Sequence, residues 1–424
     1  MKHKRHNPWV WIPGLFATEG VVSATVTYVA LLMFIQLGHS YTTATLMSAS
    51  LLLPSILKQI VLFKNKNNMH LKYFTLLMQV LLFAAFILTA YIVRKHLSGV
   101  FVPFLMLMMV SVLNALNEKC VANYYNNQLD RKMQNLLGNY KFVASQLSFI
   151  VTYGILIIFV GLHEIVFRNI RLAWAMQYYL IAGVLLVLLM INTLLLKKPE
   201  TKNAVDYRHV RPKRINRKIR FRNIRFLFIV AMILLPQALL FATRVFFLMA
   251  REDEGGLGCT LQDVGFAQGT IGIIAFSIGT FIGQKLLRRW GYKKLFWIMI
   301  VPLMASPVFY LIMNFLLLTD LLHICIMTFA SQLCFGFGLN ICVVLIKRTT
   351  DVFEDNIITL IHNPIVVAAM FIPLAASGFM LDLLGFKLFF IVNVACTLLS
   401  LITLAVNYKF IVKHILQYKK IIKY

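Results

Sequence analysis

The sequence predicts an all-α polytopic membrane protein with twelve transmembrane helices. Of its 424 residues, 60% are hydrophobic and 13% are charged, and the mean hydropathy is +0.79. Soluble domains carry roughly 45–50% apolar and about 25% charged residues. The apolar residues form continuous runs of about 20 residues, which is the length of a helix that crosses the hydrocarbon core. They do not alternate with polar residues, as the strands of a membrane β-barrel do.

The predicted spans follow one another along the chain with short connections, except at its middle. We expect them at residues 9–35, 42–63, 72–93, 99–118, 136–161, 173–196, 223–249, 263–284, 294–317, 321–346, 356–381 and 386–411. The fourth is the least regular, because the residues from Asn114 to Asn127 are rich in polar side chains. We expect the first span to be retained, since it is longer than a cleavable signal peptide and lacks a small-residue cleavage site.

The distribution of basic residues predicts the orientation of the spans. With the N-terminus inside, 35 of the 42 Lys and Arg residues fall on the inner side and 6 on the outer side, and Arg244 lies within a span. Cytoplasmic loops carry such an excess, so we expect both termini in the cytoplasm. The excess of Lys and Arg in the inner segments also accounts for the net charge of +27. We expect the basic run 208–225 to lie against anionic lipid headgroups rather than to bind nucleic acid.

A long basic segment divides the chain into two sets of six spans. We expect an N-terminal six-helix bundle at residues 1–196, a basic cytoplasmic linker at 197–222 and a C-terminal six-helix bundle at 223–424. The short loops leave no room for a soluble catalytic domain, and the sequence has no Walker loop, nucleophile elbow or HExxH motif. We therefore expect neither an enzyme nor a cofactor. The six cysteines form no CxxC pair, which indicates buried apolar residues rather than disulfides or a metal site.

Polar residues inside the spans are the candidates for function, because a charge in hydrocarbon costs several kcal/mol. Glu19 lies about ten residues, or about 15 Å, into the first span. Ser23 and Thr27 follow it on one helix face, and we expect both to bind substrate. We expect Glu19 to bind and release a coupled proton, although a structural hydrogen bond to a neighbouring helix would also explain it. Lys58 lies near the inner end of the second span, where substrate binding competes with snorkelling to the interface.

Further substrate-binding candidates lie in both halves of the chain. They are Asn114 and Asn117 in the fourth span, Gln237 and Arg244 in the seventh, Gln332 and Asn340 in the tenth, and His362 in the eleventh. Together they indicate a hydrated cavity compatible with a sugar or a peptide. Such side chains also hold helices together by hydrogen bonds. For Arg244, binding of an anionic group or pairing with Glu19 competes with snorkelling to the outer surface.

Four groups of residues carry a resemblance to a known family. They are Asn7-Pro8-Trp9-Val10-Trp11-Ile12-Pro13-Gly14-Leu15 with Glu19-Gly20; Leu53-Pro54 with Lys58; Ala250-Arg251-Glu252, Gly255-Gly256-Leu257-Gly258, Val264-Gly265 and Gly269-Thr270-Ile271-Gly272; and Gln332 with Gly336-Phe337-Gly338. In these residues the chain resembles the AmpG-type muropeptide permeases of the major facilitator superfamily. The similarity is thin but covers nearly the whole chain, and residues 59–68 lack the acid that the family has there.

The resemblance implies a major facilitator fold of six plus six helices. It also implies import of muropeptides, which are anhydro-amino-sugar peptides, with protons across the cell inner membrane by alternating access. Glu118 stands where the family has an aspartate, which makes it a second proton-coupling candidate. The superfamily's gating-loop motif corresponds to Gly283, Arg288, Arg289, Gly291, Lys293 and Lys294.

Two other functions remain open on the sequence alone. One is a major facilitator transporter of an unrelated small solute such as a nucleoside, a sugar or an acyl carrier. The other is a non-transporting membrane scaffold derived from a transporter. We expect the lipid bilayer as a partner, a small-molecule substrate and protons if the chain is a transporter, no nucleic acid, no metal, and a monomer.

Overall fold

The fold consists of helices joined mostly by short turns. The computed structural model describes residues 7–55, 71–95, 101–196, 217–351 and 356–416. We number the helices α1 to α12 in chain order. They are α1 Pro8–Gln36, α2 Tyr41–Ser50, α3 Leu71–Arg94, α4 Phe101–Gln128, α5 from Arg131 to Phe167, α6 Ile170–Leu195, α7 Arg217–Met249, α8 Leu261–Trp290, α9 Tyr292–Leu316, α10 Leu321–Asp351, α11 at 356–384 and α12 at 386–416.

The helix count agrees with the twelve predicted spans. Among the described residues, ten helical segments are long and apolar enough to cross a membrane, and the last of them, Ala369–Lys413, has 45 residues. That segment contains Gly385, whose φ of 68° and ψ of 170° interrupt the helix, so it comprises two spans. Helix α2 is the beginning of the second predicted span, 42–63, of which residues 56–63 lie outside the described part. The prediction of an all-α, multi-pass membrane protein is confirmed.

Polar side chains fix where several helices begin. At the start of α1, the Asn7 side chain accepts a hydrogen bond from the backbone amide of Trp9 at 3.1 Å. The first helical residue is Pro8, which has no N–H and therefore needs no acceptor. At the start of α8, Thr260 and Asp263 form a capping box in which each side chain bonds the other residue's amide. These caps satisfy backbone groups that hydrocarbon cannot.

In the part of the chain that the structure describes, three helices contain π-helical stretches. They are Thr25–Val29 in α1, Ile150–Ile155 in α5 and Gly265–Gly272 in α8. Such stretches shift the helical register and are frequent at functional sites.

By its internal contacts the chain forms two compact units, each of which takes a short segment from the other half of the sequence. Unit 1 comprises Met1–His39, Met47–Arg208 and Thr260–Thr270, and unit 2 comprises Ser40–Leu46, His209–Cys259 and Ile271–Tyr424. The start of α2 therefore belongs to unit 2, and the start of α8 belongs to unit 1. The sequence did not predict this exchange. The predicted bundle and linker boundaries at 196 and 222 stay predictions, and residues 197–216 of the linker lie outside the described residues.

In unit 1, α1 and α5 run side by side in the same direction. The Trp9 ring lies 4.8 Å from the Tyr140 ring, and, further along both helices, the Tyr28 ring stacks 4.6 Å from that of Tyr153. The apolar core at one end of the unit is built largely from aromatic and branched residues. It comprises Trp11, Ile12, Leu15, Phe16, Leu71, Val121, Tyr124, Tyr125, Leu137, Ala144 and Leu196.

Unit 1 also contains a close approach between α5 and the start of α8. A Cβ atom on Gly269 would lie 2.2 Å from the carbonyl oxygen of Tyr153, and one on Gly154 would lie 2.9 Å from the carbonyl oxygen of Gly269. Real Cβ atoms essentially never make contacts below 3.0 Å, so only glycine fits here. This explains why glycines recur in the 264–272 string that the sequence analysis singled out.

In unit 2, the start of α2 packs against α11. A Cβ atom on Gly378 would lie 2.2 Å from the carbonyl oxygen of Tyr41. The Asp382 carboxylate accepts hydrogen bonds from the Thr42 amide at 3.0 Å and from the Thr42 hydroxyl at 2.5 Å. An acid from α11 thus caps the N-terminus of α2, where negative charge is favourable.

Candidate functional site

Three of the predicted site residues meet in unit 1. The Glu118 carboxylate oxygen Oε1 accepts hydrogen bonds from the Asn114 side-chain amide at 3.0 Å and from the Ser23 hydroxyl at 3.3 Å. The Asn114 amide also donates to the Ser23 hydroxyl oxygen at 3.2 Å. The three side chains form a closed hydrogen-bonded triangle between α1 and α4, which we call the polar triad.

The sequence explains how the polar triad is assembled. Asn114 and Glu118 are four residues apart on α4, so they lie on one face of that helix. Ser23 supplies the third group from α1. Asn114 is buried, whereas Ser23 and Glu118 are partly buried. The arrangement directs an N–H and an O–H to one oxygen of a carboxyl group that can exchange a proton.

The other predicted residues of unit 1 are not members of the polar triad. Glu19 is partly buried on α1, one turn before Ser23. Thr27 lies in the π-helical stretch Thr25–Val29, so the regular spacing assumed for a Glu19, Ser23 and Thr27 stripe holds only as far as Ser23. Asn117 is fully buried, and its amide atoms have no hydrogen-bond partner among the described residues. Lys58 lies outside the described residues.

In unit 2, two predicted substrate-binding amides bond to backbone carbonyls of neighbouring helices. Gln237 donates to the carbonyl oxygen of Leu303 at 2.7 Å, which joins α7 to α9. Asn340 donates to the carbonyl oxygens of Thr280 and Gly336, both at 3.1 Å, which joins α10 to α8. These contacts match the helix-linking alternative raised from the sequence. A substrate-binding role for either residue stays a prediction.

The remaining predicted residues of unit 2 are placed separately. Arg244 is buried in α7, with its guanidinium carbon 5.2 Å from the centre of the Phe241 ring. Gln332 is buried in α10. The backbone of His362 is helical, and its side chain lies outside the described residues.

The predicted gating loop is the turn between α8 and α9. Helix α8 ends at Trp290, and Gly291 follows as its C-cap. Four basic side chains are exposed, two before Gly291 and two after it; they are Arg288, Arg289, Lys293 and Lys294. Gly283 lies at a close contact between helices, because a Cβ atom there would lie 2.8 Å from the carbonyl oxygen of Phe337. Its place in the gating motif stays a prediction.

Sequence reasoning missed a buried amide network in unit 1. The Asn192 side-chain amide of α6 donates to the Gly14 carbonyl at 3.3 Å, to the Thr18 hydroxyl at 3.2 Å and to the Gln79 side-chain oxygen at 3.1 Å. It thereby joins α1, α3 and α6. The signal in the sequence was the presence of amide side chains, Gln79 and Asn192, in two largely apolar spans.

A second group that sequence reasoning missed lies where α1 and α5 end and α6 begins. The Gln36 amide donates to the Glu164 carboxylate at 2.9 Å, and the Trp174 indole N–H donates to the Gln36 side-chain oxygen at 2.8 Å. Glu164 therefore resembles Glu118 in being partly buried and held by an amide, but it occupies the opposite end of the unit.

An acidic contact occurs at the start of α2 in unit 2. The Tyr41 hydroxyl donates to the Glu254 carboxylate at 3.3 Å. Burial, reinforced by the charge of Glu254, raises the pKa of Tyr41 to about 12. Tyr41 precedes the second predicted span, so this contact lies at the membrane surface.

Comparisons with known proteins show the fold. No protein-family model matches the sequence, and no curated protein matches it. A bacterial homologue of the human lysosomal transporter Spinster, inward-facing and unoccupied, superposes with a TM-score of 0.60 at 10% identity over 99% of both chains. The nucleoside transporter NupG gives 0.63 at 13% identity over 94% of this chain and 99% of that chain. A bacterial homologue of the iron transporter ferroportin gives 0.63 at 14% identity over 98% of this chain and 100% of that chain.

At these identities the likeness is one of fold. The chain has the major facilitator fold, as expected from the resemblance. The similarity to AmpG-type permeases in particular stays a prediction. Among the described residues, no group of three or more His, Cys, Asp and Glu side chains is arranged to hold a metal ion.

Proposed function

We propose that the chain is a secondary active transporter that moves a small solute across the cell inner membrane by alternating access, coupled to protons. The observation that carries the proposal is the polar triad, because it places a carboxyl group, hydrogen-bonded by side chains of two helices, inside the spans of unit 1. The fold supports it, since the three solved structures above are transporters. An intramembrane carboxyl without a function would be costly to retain.

The polar triad supplies a means of coupling. When Glu118 is charged, its oxygen Oε1 accepts from both Asn114 and Ser23. Hydrogen bonds to a charged group contribute about 1.5–3 kcal/mol, and those within membranes average less, about 0.6 kcal/mol. Protonation removes the charge that these two donors solvate and adds a donor to the carboxyl group. The contact between α1 and α4 therefore depends on whether the proton is bound, which is the requirement for a symporter.

Glu19 is the second carboxyl in the proposed mechanism. It lies one turn from Ser23 on α1, so it shares a helix with one corner of the polar triad. We propose that it exchanges the proton with solvent or with the solute, and that Arg244 in unit 2 contacts an anionic group of the solute.

For the substrate we propose muropeptides or related amino-sugar compounds. The support is the loop string from Ala250 to Gly272, which resembles the AmpG-type permeases. The nucleoside, sugar and acyl-carrier alternatives become outcomes of the transport assay. A non-transporting scaffold is the outcome if no solute moves.

Uptake into proteoliposomes tests the proposal. The solutes would be an anhydro-muropeptide, N-acetylglucosamine and uridine, each with and without an inward proton gradient. We expect Glu118→Gln to abolish gradient-driven accumulation while solute exchange continues, because exchange needs no net proton movement. Glu19→Gln should also abolish gradient-driven accumulation if Glu19 exchanges the proton with solvent or with the solute.

The matched control is Glu164→Gln. Glu164 is also a partly buried carboxylate of unit 1 that accepts an amide hydrogen bond, but it lies outside the polar triad. The Glu164→Gln variant should accumulate solute as the wild type does. Accumulation by Glu118→Gln equal to that of the wild type would reject coupling through the polar triad. Absence of uptake of every solute by the wild type would reject transport of these classes.

A further inference from the structure

A lysine inside a span of unit 1 has no role in the mechanism above. Lys141 lies about five residues into the predicted fifth span, and its ammonium nitrogen is 4.2 Å from the centre of the Phe16 ring and 5.7 Å from that of Tyr125. The three residues come from α5, α1 and α4. The sequence analysis counted Lys141 only as one of the inner basic residues that set the orientation.

The ammonium group of Lys141 lies between α5 and α1. Gly20 of α1 contacts the backbone of Ser145 of α5, where a Cβ atom on the glycine would lie 2.9 Å from the serine carbonyl oxygen. Phe16 and Lys141 each lie four residues before that contact on parallel helices, so the two residues are level with each other. The partly buried Lys141 side chain places its ammonium group against the Phe16 ring, 4.2 Å from the ring centre.

The aromatic surroundings of Lys141 are fixed by packing. The Phe16 and Tyr125 rings meet edge to face at 5.5 Å, and Trp11 packs edge-on against Tyr125 at 6.4 Å. The Tyr125 hydroxyl donates to the carbonyl oxygen of Gln134 at 3.2 Å. The two rings are therefore held in place and present their faces to the ammonium, which gains roughly 0.5–2 kcal/mol from each such contact.

These contacts leave the charge of Lys141 incompletely balanced. Among the described residues Lys141 takes part in no ion pair, whereas Arg251 pairs with Asp253 and His323 with Asp320 elsewhere in the chain. The Glu118 oxygen Oε1 bonds to the polar triad, and Glu118 lies seven residues, or about 10 Å, from Tyr125 along α4. Two rings solvate part of an ammonium group but supply no acceptor oxygen to its N–H donors.

We propose that Lys141, bracketed by Phe16 and Tyr125, binds an oxyanion of the transported solute. This inference rests on the proposed transport function and deepens it, because it assigns a cation of unit 1, in addition to Arg244, to a carboxylate or phosphate group of the solute. The rings orient the ammonium and limit its rotation, so its N–H donors are ready for an anion. Each hydrogen bond that forms between the ammonium group and the oxyanion is charge-assisted, and such bonds are roughly twice as strong as those between neutral groups.

The test is a binding measurement that involves no transport. The purified full chain would be placed in nanodiscs of zwitterionic phosphatidylcholine, and ligand binding would be followed by tryptophan fluorescence, to which Trp11 contributes. N-acetylmuramic acid and N-acetylglucosamine form a matched pair, since the first adds a lactyl carboxylate to the second. Inorganic phosphate, compared with chloride at equal ionic strength, probes the site with a free oxyanion.

We expect N-acetylmuramic acid to bind more tightly than N-acetylglucosamine. Lys141→Gln should weaken binding of N-acetylmuramic acid and of phosphate about 10- to 100-fold, which is the effect of losing one or two charge-assisted hydrogen bonds. Binding of N-acetylglucosamine should not change. Lys141→Arg should restore most of the anion preference because it keeps the charge.

The matched control is Lys387→Gln. The ammonium of Lys387 also lies over a ring, 5.2 Å from the centre of Phe315, but it is exposed in unit 2. This variant should bind all three probes as the wild type does. Anion binding that Lys141→Gln leaves unchanged would overturn the proposal, as would an equal loss of the neutral sugar or no anion binding by the wild type.

Two further arms separate the possible outcomes. If the effect of Lys141→Gln appears only in nanodiscs that contain phosphatidylglycerol, the bound oxyanion is a lipid headgroup, and the assignment to the solute is wrong. If N-acetylmuramic acid binds through Lys141 but no solute is taken up, the site stands and the transport function fails. If uptake depends on Glu118 but favours neutral solutes, the transport function stands and the oxyanion site at Lys141 is wrong.

Discussion

Replacing Gly269 with alanine should measurably destabilise unit 1. The added Cβ atom would lie 2.2 Å from the carbonyl oxygen of Tyr153, 2.5 Å from its carbonyl carbon and 2.6 Å from the Cα atom of Gly154. All three neighbours are backbone atoms, so no side chain can rotate away. To reach the 3.0 Å that real contacts keep, α5 and the start of α8 must separate by at least 0.8 Å, the difference between 3.0 and 2.2.

The expected cost follows from packing energetics. Overpacking a well-packed interior typically costs about 1–3 kcal/mol. Alanine in a helix regains roughly 0.5–1 kcal/mol relative to glycine. Because all three crowded neighbours of Gly269 are backbone atoms, the upper part of the overpacking range applies, about 2–3 kcal/mol. After subtraction of the helix term, we expect Gly269→Ala to lower the free energy of unfolding by about 1–2.5 kcal/mol.

The assay is equilibrium unfolding of the purified chain in mixed micelles of increasing SDS content, followed by tryptophan fluorescence. Gly183→Ala on α6 is the matched control, because a Cβ atom there meets nothing within 4 Å. We expect this control to be as stable as the wild type or slightly more so. A free energy of unfolding for Gly269→Ala within about 0.5 kcal/mol of the wild type would refute the close approach of α5 and α8.

Three further predictions concern separate parts of the chain. Asn192→Leu removes the donor of the buried amide network and should lower the free energy of unfolding by about 1–2 kcal/mol, since hydrogen bonds between membrane helices contribute about 0.6 kcal/mol each; an unchanged SDS unfolding curve would contradict this. In a cysteine-free background, a membrane-impermeant thiol reagent applied outside intact cells should label Asp253→Cys and not Lys293→Cys, and the reverse pattern would reject the predicted orientation. The raised pKa of Tyr41 means that the folded chain keeps this proton while an unfolded phenol, with its pKa of 10.0, has lost it. The contribution of the Tyr41 hydroxyl to stability is therefore present below pH 10 and lost as the pH rises toward 12. In a pH titration followed by tyrosinate absorbance, the difference between the wild type and Tyr41→Phe should appear near pH 12. A difference that appears near pH 10 would contradict the raised pKa.

The sequence was most informative about the helices. Continuous apolar runs mark the spans directly, because only a helix can satisfy every backbone group in hydrocarbon. Even the break between the eleventh and twelfth spans was predicted, and it falls at Gly385. The π-helical stretches were not predicted, since hydropathy carries no information about a local change of helical register.

The candidate site was only partly accessible from the sequence. Asn114 and Glu118 could be placed on one face because their spacing is local. Their meeting with Ser23, which lies 95 residues before Glu118, depends on which helices are neighbours. Lys141 was counted on the inner side because a charge count records only a side, whereas its contacts with Phe16 and Tyr125 depend on which helices are neighbours.

The exchange of short segments between the two units has a consequence for the order in which the chain assembles during synthesis. When the start of α8 emerges, its partner on α5 has already been made, and the contact of Gly269 with Tyr153 can form at once. The start of α2 has no such advantage. Its bond from Thr42 to Asp382 spans 340 residues, which takes roughly 17–70 s to translate at about 5–20 residues per second. Unit 1 can therefore close as soon as the start of α8 is available, whereas the first turns of α2 remain uncapped by Asp382 until α11 has been synthesised.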